Sequence, residues 1–303
     1  MRSTSGSSKR NEIERLREML SDADSIVVGA GSGLSTSAGF TYSGARFEKY
    51  FPDFASAYGI RDMYTGGFHA FPTSGIRWGW WCRHIWLNRY VPAPRPVYPR
   101  LLRLLSGRDF FVVTTNVDHQ FLASGFPKDR LFYTQGDYGL FQCSLPCHDE
   151  THDNRAAVEA MVRSEGWEIA PDGTISLPEE RSPSMEVPPD LIPRCPKCGR
   201  EMTPNLRSDD TFVEDARWHE AALRYERFLE THRGGKVLFL DLGSGWNTPG
   251  IFKHPFWRMT YSLRGARYAC VNLGDAVVPD EIREKSSCVD SDIGAVIDLL
   301  LGS

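Results

Sequence analysis

The stretch Ser25–Phe40 reads Ser-Ile-Val-Val-Gly-Ala-Gly-Ser-Gly-Leu-Ser-Thr-Ser-Ala-Gly-Phe. Its apolar run Ile26–Val28 predicts a buried parallel strand, and the glycines after it predict a sharp turn where backbone can approach a ligand. The hydroxyl residues in the turn can cap a helix whose free N–H groups would attract a phosphate; they are Ser32, Ser35 and Thr36. An ordinary strand-to-helix turn would look the same. The glycine-rich turn favours a dinucleotide ligand. Leu34 stands where the G-x-G-x-x-G pattern of dehydrogenases has its last glycine, so the turn does not favour a hydride-transfer enzyme.

Composition excludes several classes of protein. The chain has 303 residues and a net charge of −4, so nothing in its charge favours a nucleic-acid partner. No run approaches the roughly 18 apolar residues of a membrane span, which predicts no membrane partner. The polar stretch Met1–Asn11 lacks the apolar core of a signal peptide and predicts a flexible tail. A cytoplasmic location is therefore expected.

The rest of the chain alternates strand and helix patterns. Buried strands are predicted at Asp109–Thr115, Lys236–Leu242 and Tyr268–Leu273, and helices at Ala216–His232 and Ile293–Leu301. This alternation predicts an α/β fold with a Rossmann-like, doubly wound parallel sheet. Since ligands bind at the carboxyl ends of such strands, the polar loops that follow the strands should meet at one crevice.

The predicted domain organisation has two interruptions in this sheet. Residues 1–11 form the tail, and residues 12–45, 97–141 and 211–303 form the Rossmann-like domain. Residues 46–96 are an aromatic-rich helical insertion, whose rings form a small core unless a minority of them line a ligand tunnel. Residues 142–210 are rich in Pro, Cys and charge and form a second inserted module. A hairpin is expected in Trp167–Leu177, around Pro171-Asp172-Gly173.

Two cysteine pairs predict a metal site of the zinc-ribbon type in that second module. The pairs are Cys143-Ser-Leu-Pro-Cys147 and Cys195-Pro-Lys-Cys198. Short C-x(2–4)-C spacings let two thiolates of one turn reach a tetrahedral Zn²⁺, and four thiolates would close the site and make the metal structural. His148 and His152 are alternative ligands, and four free thiols are the alternative without a metal.

The ordered set of motifs resembles the sirtuin family from about Ser25 to the C-terminus. It comprises Gly-Ser-Gly-Leu-Ser-x-x-Ala-Gly, Thr-Asn-Val-Asp (Thr115–Asp118), Gln135-Gly136, the cysteine pairs, Gly243–Gly245 and Asn272-Leu-Gly274. Sirtuins cleave NAD at the nicotinamide–ribose bond and combine a Rossmann-like NAD-binding domain with a zinc module. The resemblance thus implies NAD as co-substrate and a structural Zn²⁺.

Two departures from the deacylating sirtuins indicate the subtype. Thr41-Tyr42-Ser43-Gly44 stands where those enzymes have Pro-Asp-Phe-Arg, and Gln135 stands at the position of their catalytic histidine. A glutamine amide cannot act as the general base that deacylation uses, although it can orient a ribose hydroxyl. With Asp62-Met63-Tyr64, Phe212-Val213-Glu214-Asp215 and Asn247-Thr248-Pro249, the chain resembles the macrodomain-linked (class M) microbial sirtuins.

That resemblance implies a protein ADP-ribosyltransferase, a glycosyltransferase that moves ADP-ribose from NAD to a protein acceptor. The implied acceptor is a lipoylated glycine-cleavage H-like carrier protein, and a macrodomain ADP-ribosyl hydrolase would act in opposition. The implied catalytic residues are Asn116, Asp118, Gln135 and Arg207, although Arg207 could equally be a solvated surface residue. The implied cofactor-binding residues are Ala30, Gly31, Ser32, Gly33, Ser35, Gly39, Phe40, Thr115, Asn116, Asp118, Gln135, Gly243, Ser244, Asn247, Asn272, Gly274, Asp292 and Ile293. The alternatives are an NAD-dependent lysine deacylase and a non-catalytic NAD or ADP-ribose sensor.

Overall fold

The computed structural model describes residues 4–179 and 181–302. These residues group into two compact units. The first unit takes the described residues of 1–39, 95–135 and 217–303, and the second takes those of 40–94 and 136–216. The finer division predicted above, with separate helical and zinc-carrying insertions, stays a prediction.

The strands of the described residues are β1 (Ser25–Ala30), β2 (Phe110–Thr114), β3 (Leu131–Tyr133), β4 (Gly136–Cys143), β5 (His152–Asp153), β6 (Glu168–Ile169), β7 (Ile175–Ser176), β8 (Met202–Leu206), β9 (Val237–Leu242), β10 (Arg267–Val271) and β11 (Ser286–Val289). The α-helices are α1 (Thr4–Asp22), α2 (Ser32–Ser37), α3 (Ala45–Tyr50), α4 (Pro52–Tyr58), α5 (Met63–Gly66), α6 (Ser74–Ile85), α7 (Val97–Leu105), α8 (Gln120–Ala123), α9 (Arg155–Ser164), α10 (Ala216–His232), α11 (Lys253–Ser262) and α12 (Ile293–Leu301). A π-helical segment, Trp86–Tyr90, continues α6, and short 3₁₀ turns occur at Lys128–Arg130, Pro189–Leu191 and Asp280–Lys285.

The first unit is built on a six-stranded sheet with the order β11-β10-β9-β1-β2-β3. All of its strand pairs are parallel, and Ile26 of β1 lies opposite Phe110 of β2 and Leu238 of β9. The chain winds outward from β1 in both directions, so the predicted doubly wound α/β fold is confirmed. Every residue of β1 and β9 is buried, which explains why these strands are apolar apart from Ser25 and Asp241.

Helices α10 and α11 supply apolar side chains to one core of this unit. Phe228 of α10 and Phe256 of α11 share a buried cluster with Phe111, Phe239 and Tyr268 of the sheet. Helices α7 and α12 pack against each other elsewhere in the unit.

The element boundaries differ from the sequence predictions in three places. Helix α1 begins at Thr4, inside the stretch predicted to be a tail, while residues 1–3 of that stretch lie outside the described residues. The short edge strands β3 and β11 were not predicted, because three or four residues give too little pattern to separate a strand from a loop. Helix α11 was not predicted either, since its mixed aromatic and polar sequence lacks a clear apolar stripe.

The second unit contains small antiparallel sheets and short helices. β4 pairs with β5 and with β8, and the β6–β7 hairpin confirms the turn predicted around Pro171-Asp172-Gly173. A ten-residue helix, α9, lies within the predicted module 142–210. The fully buried Arg83 of α6 bonds to Glu165 at 2.8 Å and to Asp53 at 2.9 Å. This ion pair network ties together sequence segments that lie far apart.

Among the residues that the structure describes, no helix has the length and apolar character needed to cross a membrane.

Candidate active site

The site lies where β1 and β9 sit next to each other at the centre of the first unit's sheet. The chain leaves β1 toward β2 on one side, and it runs from β9 toward β10 on the other. Strand order therefore reverses here, which is where open α/β sheets leave a crevice for a ligand. The Gly31 N–H donates to the Leu242 carbonyl at 3.0 Å, so the two loops leave the sheet in contact.

The glycines of these loops are required by the packing of one backbone on the other. The Gly33 N–H donates to the Gly243 carbonyl at 3.0 Å. A Cβ on Gly33 would lie 2.7 Å from the Gly243 Cα, and a Cβ on Gly31 would lie 2.6 Å from the Gly243 oxygen. Gly243 itself has a φ of +72°, a conformation that favours glycine. A bulky residue at Gly33 would therefore separate the two loops as well as obstruct a ligand.

A correction concerns the helix that follows β1. Helix α2 begins after Gly31, which occupies the N-cap without any side-chain hydrogen bond. The hydroxyl residues expected to cap it, Ser32, Ser35 and Thr36, lie within the helix instead. The backbone of Gly31 is extended (φ −113°, ψ −173°), as is typical of an N-cap residue. Glycine is tolerated at this position even though it has no side chain to accept a hydrogen bond.

A polar cavity of about 360 Å³ opens at the contact of these loops. Its lining comprises Ser32, Gly33, Thr36, Ser37, Gly243, Ser244, Gly245, Asn272, Leu273, Asp275, Ser291, Asp292 and Ile293. The set includes seven of the sequence-predicted cofactor residues, namely Ser32, Gly33, Gly243, Ser244, Asn272, Asp292 and Ile293. The Asn272 Nδ2 donates to the Ser244 carbonyl at 3.1 Å, which links the loops after β9 and β10.

Asp292 closes one side of the cavity and caps α12. Its carboxylate accepts from the Ser37 Oγ at 2.9 Å, from the Ala295 N–H at 3.0 Å and from Arg95 at 3.0 Å. Burial opposes ionisation of this group, but these donors together hold the pKa of Asp292 below its ordinary value. The carboxylate therefore stays charged and fixes the entry of α12 into the site.

A buried polar cluster lies further along the same loops. Asp118 accepts from the Ser35 Oγ at 2.5 Å and from the Gln120 N–H at 3.1 Å, so it orients α2 and also starts α8. The Asn116 Nδ2 donates to the Gly31 carbonyl at 2.9 Å. The structure thus brings Asn116, Asp118 and Ser35 together.

Sequence reasoning missed Tyr98, which completes this cluster from α7. Its hydroxyl lies 2.9 Å from the Ser35 Oγ. Burial raises the pKa of Tyr98 well above its usual range, with the Asp118 charge acting in the same direction, so the phenol keeps its proton. Ser35 gives its single hydroxyl proton to the Asp118 carboxylate, and Tyr98 is therefore the donor to Ser35. The only signal was a tyrosine on the apolar face of an otherwise aliphatic helix.

The remaining predicted site residues occupy other positions. In the first unit, Ala30 is the last residue of β1, Thr115 follows β2 and Gly39 follows α2. Gln135 is half-buried after β3, and Asn247 lies in an exposed loop. The Gly274 N–H donates to the Asp290 carboxylate. Phe40 belongs to the second unit, where it is buried beneath the Arg46 guanidinium. Arg207 also belongs to the second unit, where it pairs with Glu214 and lies 4.3 Å from the centroid of the Phe212 ring.

The cysteine pairs meet in the second unit. Sγ atoms of Cys143 and Cys198 lie 3.6 Å apart, as do those of Cys147 and Cys195. A tetrahedral Zn²⁺ with Zn–S bonds of 2.3 Å requires sulfur–sulfur separations of about 3.8 Å, so the residues fit this ion. Burial opposes ionisation of Cys195, but the N–H groups of Cys198 and Lys197 lower its pKa. The Arg200 N–H lowers the pKa of Cys198 to about 7.

These four cysteines are clustered as in a structural zinc site. All of their Sγ atoms lie within 4.8 Å of one another, and none of the described cysteines forms a disulfide. The turn at Gly199, with a φ of +70°, closes the second pair by a bond from its N–H to the Cys195 carbonyl at 2.8 Å. His148 is not needed as a fifth ligand, but its Nε2 lies 3.4 Å from the Cys195 Sγ.

Comparison with known proteins shows the family and the fold of this chain. No family model matches the chain. A protein ADP-ribosyltransferase of Staphylococcus aureus is 36% identical over 290 residues, which is 95% of this chain and 87% of that protein. A Fusarium oxysporum f. sp. cubense protein, named "Probable bifunctional ADP-ribose hydrolase/ADP-ribosyltransferase", is 32% identical over 309 residues, 96% of this chain but 48% of that protein.

Solved structures show the fold. A Sir2 homologue in complex with NAD superposes with a TM-score of 0.55 at 15% identity, covering 95% of this chain and 92% of that one. A Sir2–p53 peptide–NAD⁺ structure gives a TM-score of 0.53 at 16% identity, covering 96% and 97%. The doubly wound sheet and the cysteine cluster agree with this likeness. The chain therefore belongs to the family of protein ADP-ribosyltransferases, and it has the fold of the Sir2 structures.

Proposed function

We propose that the first unit binds NAD in the cavity at the switch point and that the chain transfers its ADP-ribosyl group to a protein. The main support for this proposal is that helix α2 runs from the cavity to the buried polar cluster around Asp118. Ser32 and Gly33 line the cavity, and Ser35, about one helical turn further on, bonds Asp118. One dinucleotide could then lie along the loops, with its adenosine diphosphate in the cavity and its nicotinamide at the cluster.

The cavity suits the adenosine diphosphate portion. Its lining offers hydroxyl groups, an amide and glycine backbone, and no bulky side chain stands on Gly33, Gly243 or Gly245. Asn272 and Asp292 would frame the adenosine, and Ser244 would bind phosphate or ribose. The same proposal includes the other predicted contacts to NAD, among them Asn247 and Gly274.

The buried cluster suits the nicotinamide portion. A carboxylate has about four lone-pair directions, so Asp118 can accept from a carboxamide NH₂ while it holds Ser35 and Gln120. In the reaction, the bond between the nicotinamide nitrogen and ribose C1′ breaks and nicotinamide leaves with the electron pair. A nucleophilic side chain of the acceptor protein forms the new bond to C1′ and releases its proton to the solvent. Positive charge develops on the ribose, and the fixed oxygens at Asn116 and Asp118 would stabilise it.

Gln135 separates this proposal from deacylation. It follows the carboxyl end of β3, at the same edge of the sheet as the loops of the site. Its amide has no proton-accepting state near neutral pH, so it can only hold a ribose hydroxyl in place. The sequence pattern that replaces Pro-Asp-Phe-Arg, Thr41-Tyr42-Ser43-Gly44, supports the same distinction.

The acceptor and its partners are finer proposals. A lipoyl-carrier protein of the glycine-cleavage H type is the acceptor that the family resemblance implies. An opposing macrodomain hydrolase is supported by the printed name of the Fusarium relative, which joins ADP-ribose hydrolase and ADP-ribosyltransferase. A role for Arg207 in orienting the acceptor and a cytoplasmic location stay predictions from the sequence.

The proposal is tested by replacing Asn116 with alanine. Nicotinamide release from NAD should fall roughly 10–1000-fold, the range for loss of an oriented group in the transition state. NAD affinity, measured by calorimetry, should change little because the cavity is intact. In parallel, mass spectrometry of a lysate incubated with isotopically labelled NAD should identify a modified protein. Full transferase activity in Asn116→Ala would contradict the proposal.

A further inference from the structure

Lys253, the first residue of α11, lies at a position that is energetically unfavourable for a charged side chain. Its side chain is fully buried, and among the described residues its Nζ has no hydrogen-bond partner. An ammonium without partners is strongly disfavoured away from water. A cation in the first turn of a helix is also disfavoured by the helix dipole. Such a residue is retained only if something else in the molecule compensates for it.

Two kinds of group compensate the Lys253 charge. Nζ lies 4.3 Å from the centroid of the Trp246 ring and 5.9 Å from that of Trp257, which is within cation–π range. The opposite charge comes from Asp241, the penultimate residue of β9, which is also fully buried. Burial raises the pKa of Asp241, while the Lys253 charge and the hydrogen bonds from Ser244 and Tyr268 oppose that rise.

Asp241 is tied to the turn that lines the cavity. It accepts from the Ser244 Oγ at 2.5 Å, from the Ser244 N–H at 3.2 Å and from the Tyr268 hydroxyl at 2.9 Å. An ionised carboxylate can accept all of these bonds, whereas a protonated one must use one oxygen as a donor. Ser244 and Gly245 line the cavity, and Trp246 follows them directly.

Lys253 thus interacts with residues at both ends of one short segment, with the Asp241 charge on one side and with the Trp246 ring on the other. Through Asp241 it acts on the start of the turn at Gly243–Gly245, and through Trp246 it acts on the residue after the turn. Gly33 and Asn272 hold the same turn from the neighbouring loops. No side chain of the turn itself carries a charge. The buried charges of Lys253 and Asp241 therefore lie behind the Gly243–Gly245 turn, which lines the cavity.

We propose that Lys253 and Asp241 are positioning residues, a buried charge pair that holds the Gly243–Gly245 turn in the conformation that binds NAD. This inference rests on the proposed function, since it assigns the turn a role in NAD binding. Neither side chain needs to touch NAD. They act through Ser244 and Trp246, so their loss should weaken NAD binding more than it slows cleavage of bound NAD.

The experiment compares Lys253→Met, Asp241→Asn, the double variant and Lys285→Met. Methionine keeps the length of Lys253 but leaves Asp241 without its opposite charge. NAD affinity in Lys253→Met should fall about tenfold, within the range of coupling between contacting residues. The KM for NAD should rise by the same factor while kcat stays within about twofold. The double variant removes both charges and should bind NAD more tightly than Lys253→Met.

Lys285→Met is the matched control. Lys285 donates to the Thr260 and Leu263 carbonyls near the other end of α11, away from the turn. It should lower the unfolding midpoint without changing NAD affinity. If Lys253→Met does not fold, Asp241→Asn decides, because it should show the same tenfold loss.

The inference is overturned if Lys253→Met, or Asp241→Asn in its place, binds NAD like the wild type. It is also overturned if the losses simply add in the double variant, or if kcat falls while KM is unchanged. These results leave the proposed function standing, since the wild type still binds and cleaves NAD. A wild-type protein that binds no NAD would overturn the proposed function and this inference with it.

Discussion

At the residue scale, the site depends on which atom holds each proton. Asp118 takes the Ser35 proton, and Ser35 in turn accepts from Tyr98. Because the pKa of Tyr98 is raised by burial, this order holds throughout the neutral range. The chain of hydrogen bonds connects α7 to the loop after β2, and it fixes the Asp118 oxygens that would meet the carboxamide of nicotinamide.

Removing the Tyr98 hydroxyl tests this chain. Tyr98→Phe should lower kcat/KM for nicotinamide release about fivefold, the equivalent of one hydrogen bond of about 1 kcal/mol. Tyr225→Phe is the control, because that partly buried tyrosine lies on α10, against a different cluster of the same unit. Equal activity of Tyr98→Phe and the wild type would show that Ser35 and Asp118 need no support from α7.

The sequence was enough to predict the motif residues, but not the residues that hold them in place. Asn116 and Asp118 stand in a recognisable four-residue pattern directly after a strand. Tyr98 and Asp241 are single residues within apolar segments, and their partners come from other elements. Only the packed fold brings such residues together, so no local pattern could have identified them.

At the scale of elements, two devices hold the second unit together, a metal site and a buried ion pair. The metal site joins the end of β4 to a tight turn before β8. Its cysteine spacing could be read directly from the sequence, because ligand pairs on one turn leave a local signature. The ion pair could not be predicted, since Arg83, Asp53 and Glu165 share no local pattern.

Loss of the second cysteine pair should remove the metal. The wild type should carry one zinc per chain by elemental analysis, whereas Cys195→Ser/Cys198→Ser should carry none and should unfold at a lower temperature. Cys288→Ser, at a half-buried cysteine outside the cluster, should keep its zinc. A wild-type protein that is well folded without zinc would contradict the assignment.

Breaking the buried ion pair should be costly. Arg83→Met leaves Glu165 and Asp53 without their partner, and Glu165 is fully buried. The free energy of unfolding, from denaturant titration, should fall by about 3–5 kcal/mol. Arg163→Met, which removes an exposed pair with Glu159 on α9, should change it by less than about 1 kcal/mol. Equal effects of the two variants would contradict a structural role for Arg83.

At the scale of the whole molecule, the fold was predictable because its central strands are buried on both faces. β1, β2 and β9 are mostly apolar, with Asp241 as the one charged residue among them, and polar residues lie in the loops after them. The grouping into units was not predictable, because contacts between distant segments decide it. The subtype depends on few positions, above all Gln135, which a fold comparison alone would not separate from a deacylating relative.

The most direct test of the account compares two reactions of the unmodified protein. The enzyme is incubated with NAD and either an acetyl-lysine peptide or a lipoylated H-type carrier protein, and the products are identified by mass spectrometry. The account predicts that the carrier protein gains the mass of one ADP-ribosyl group, that nicotinamide is released in equal amount, and that the peptide keeps its acetyl group. Robust deacetylation of the peptide, without ADP-ribose on any protein acceptor, would contradict it.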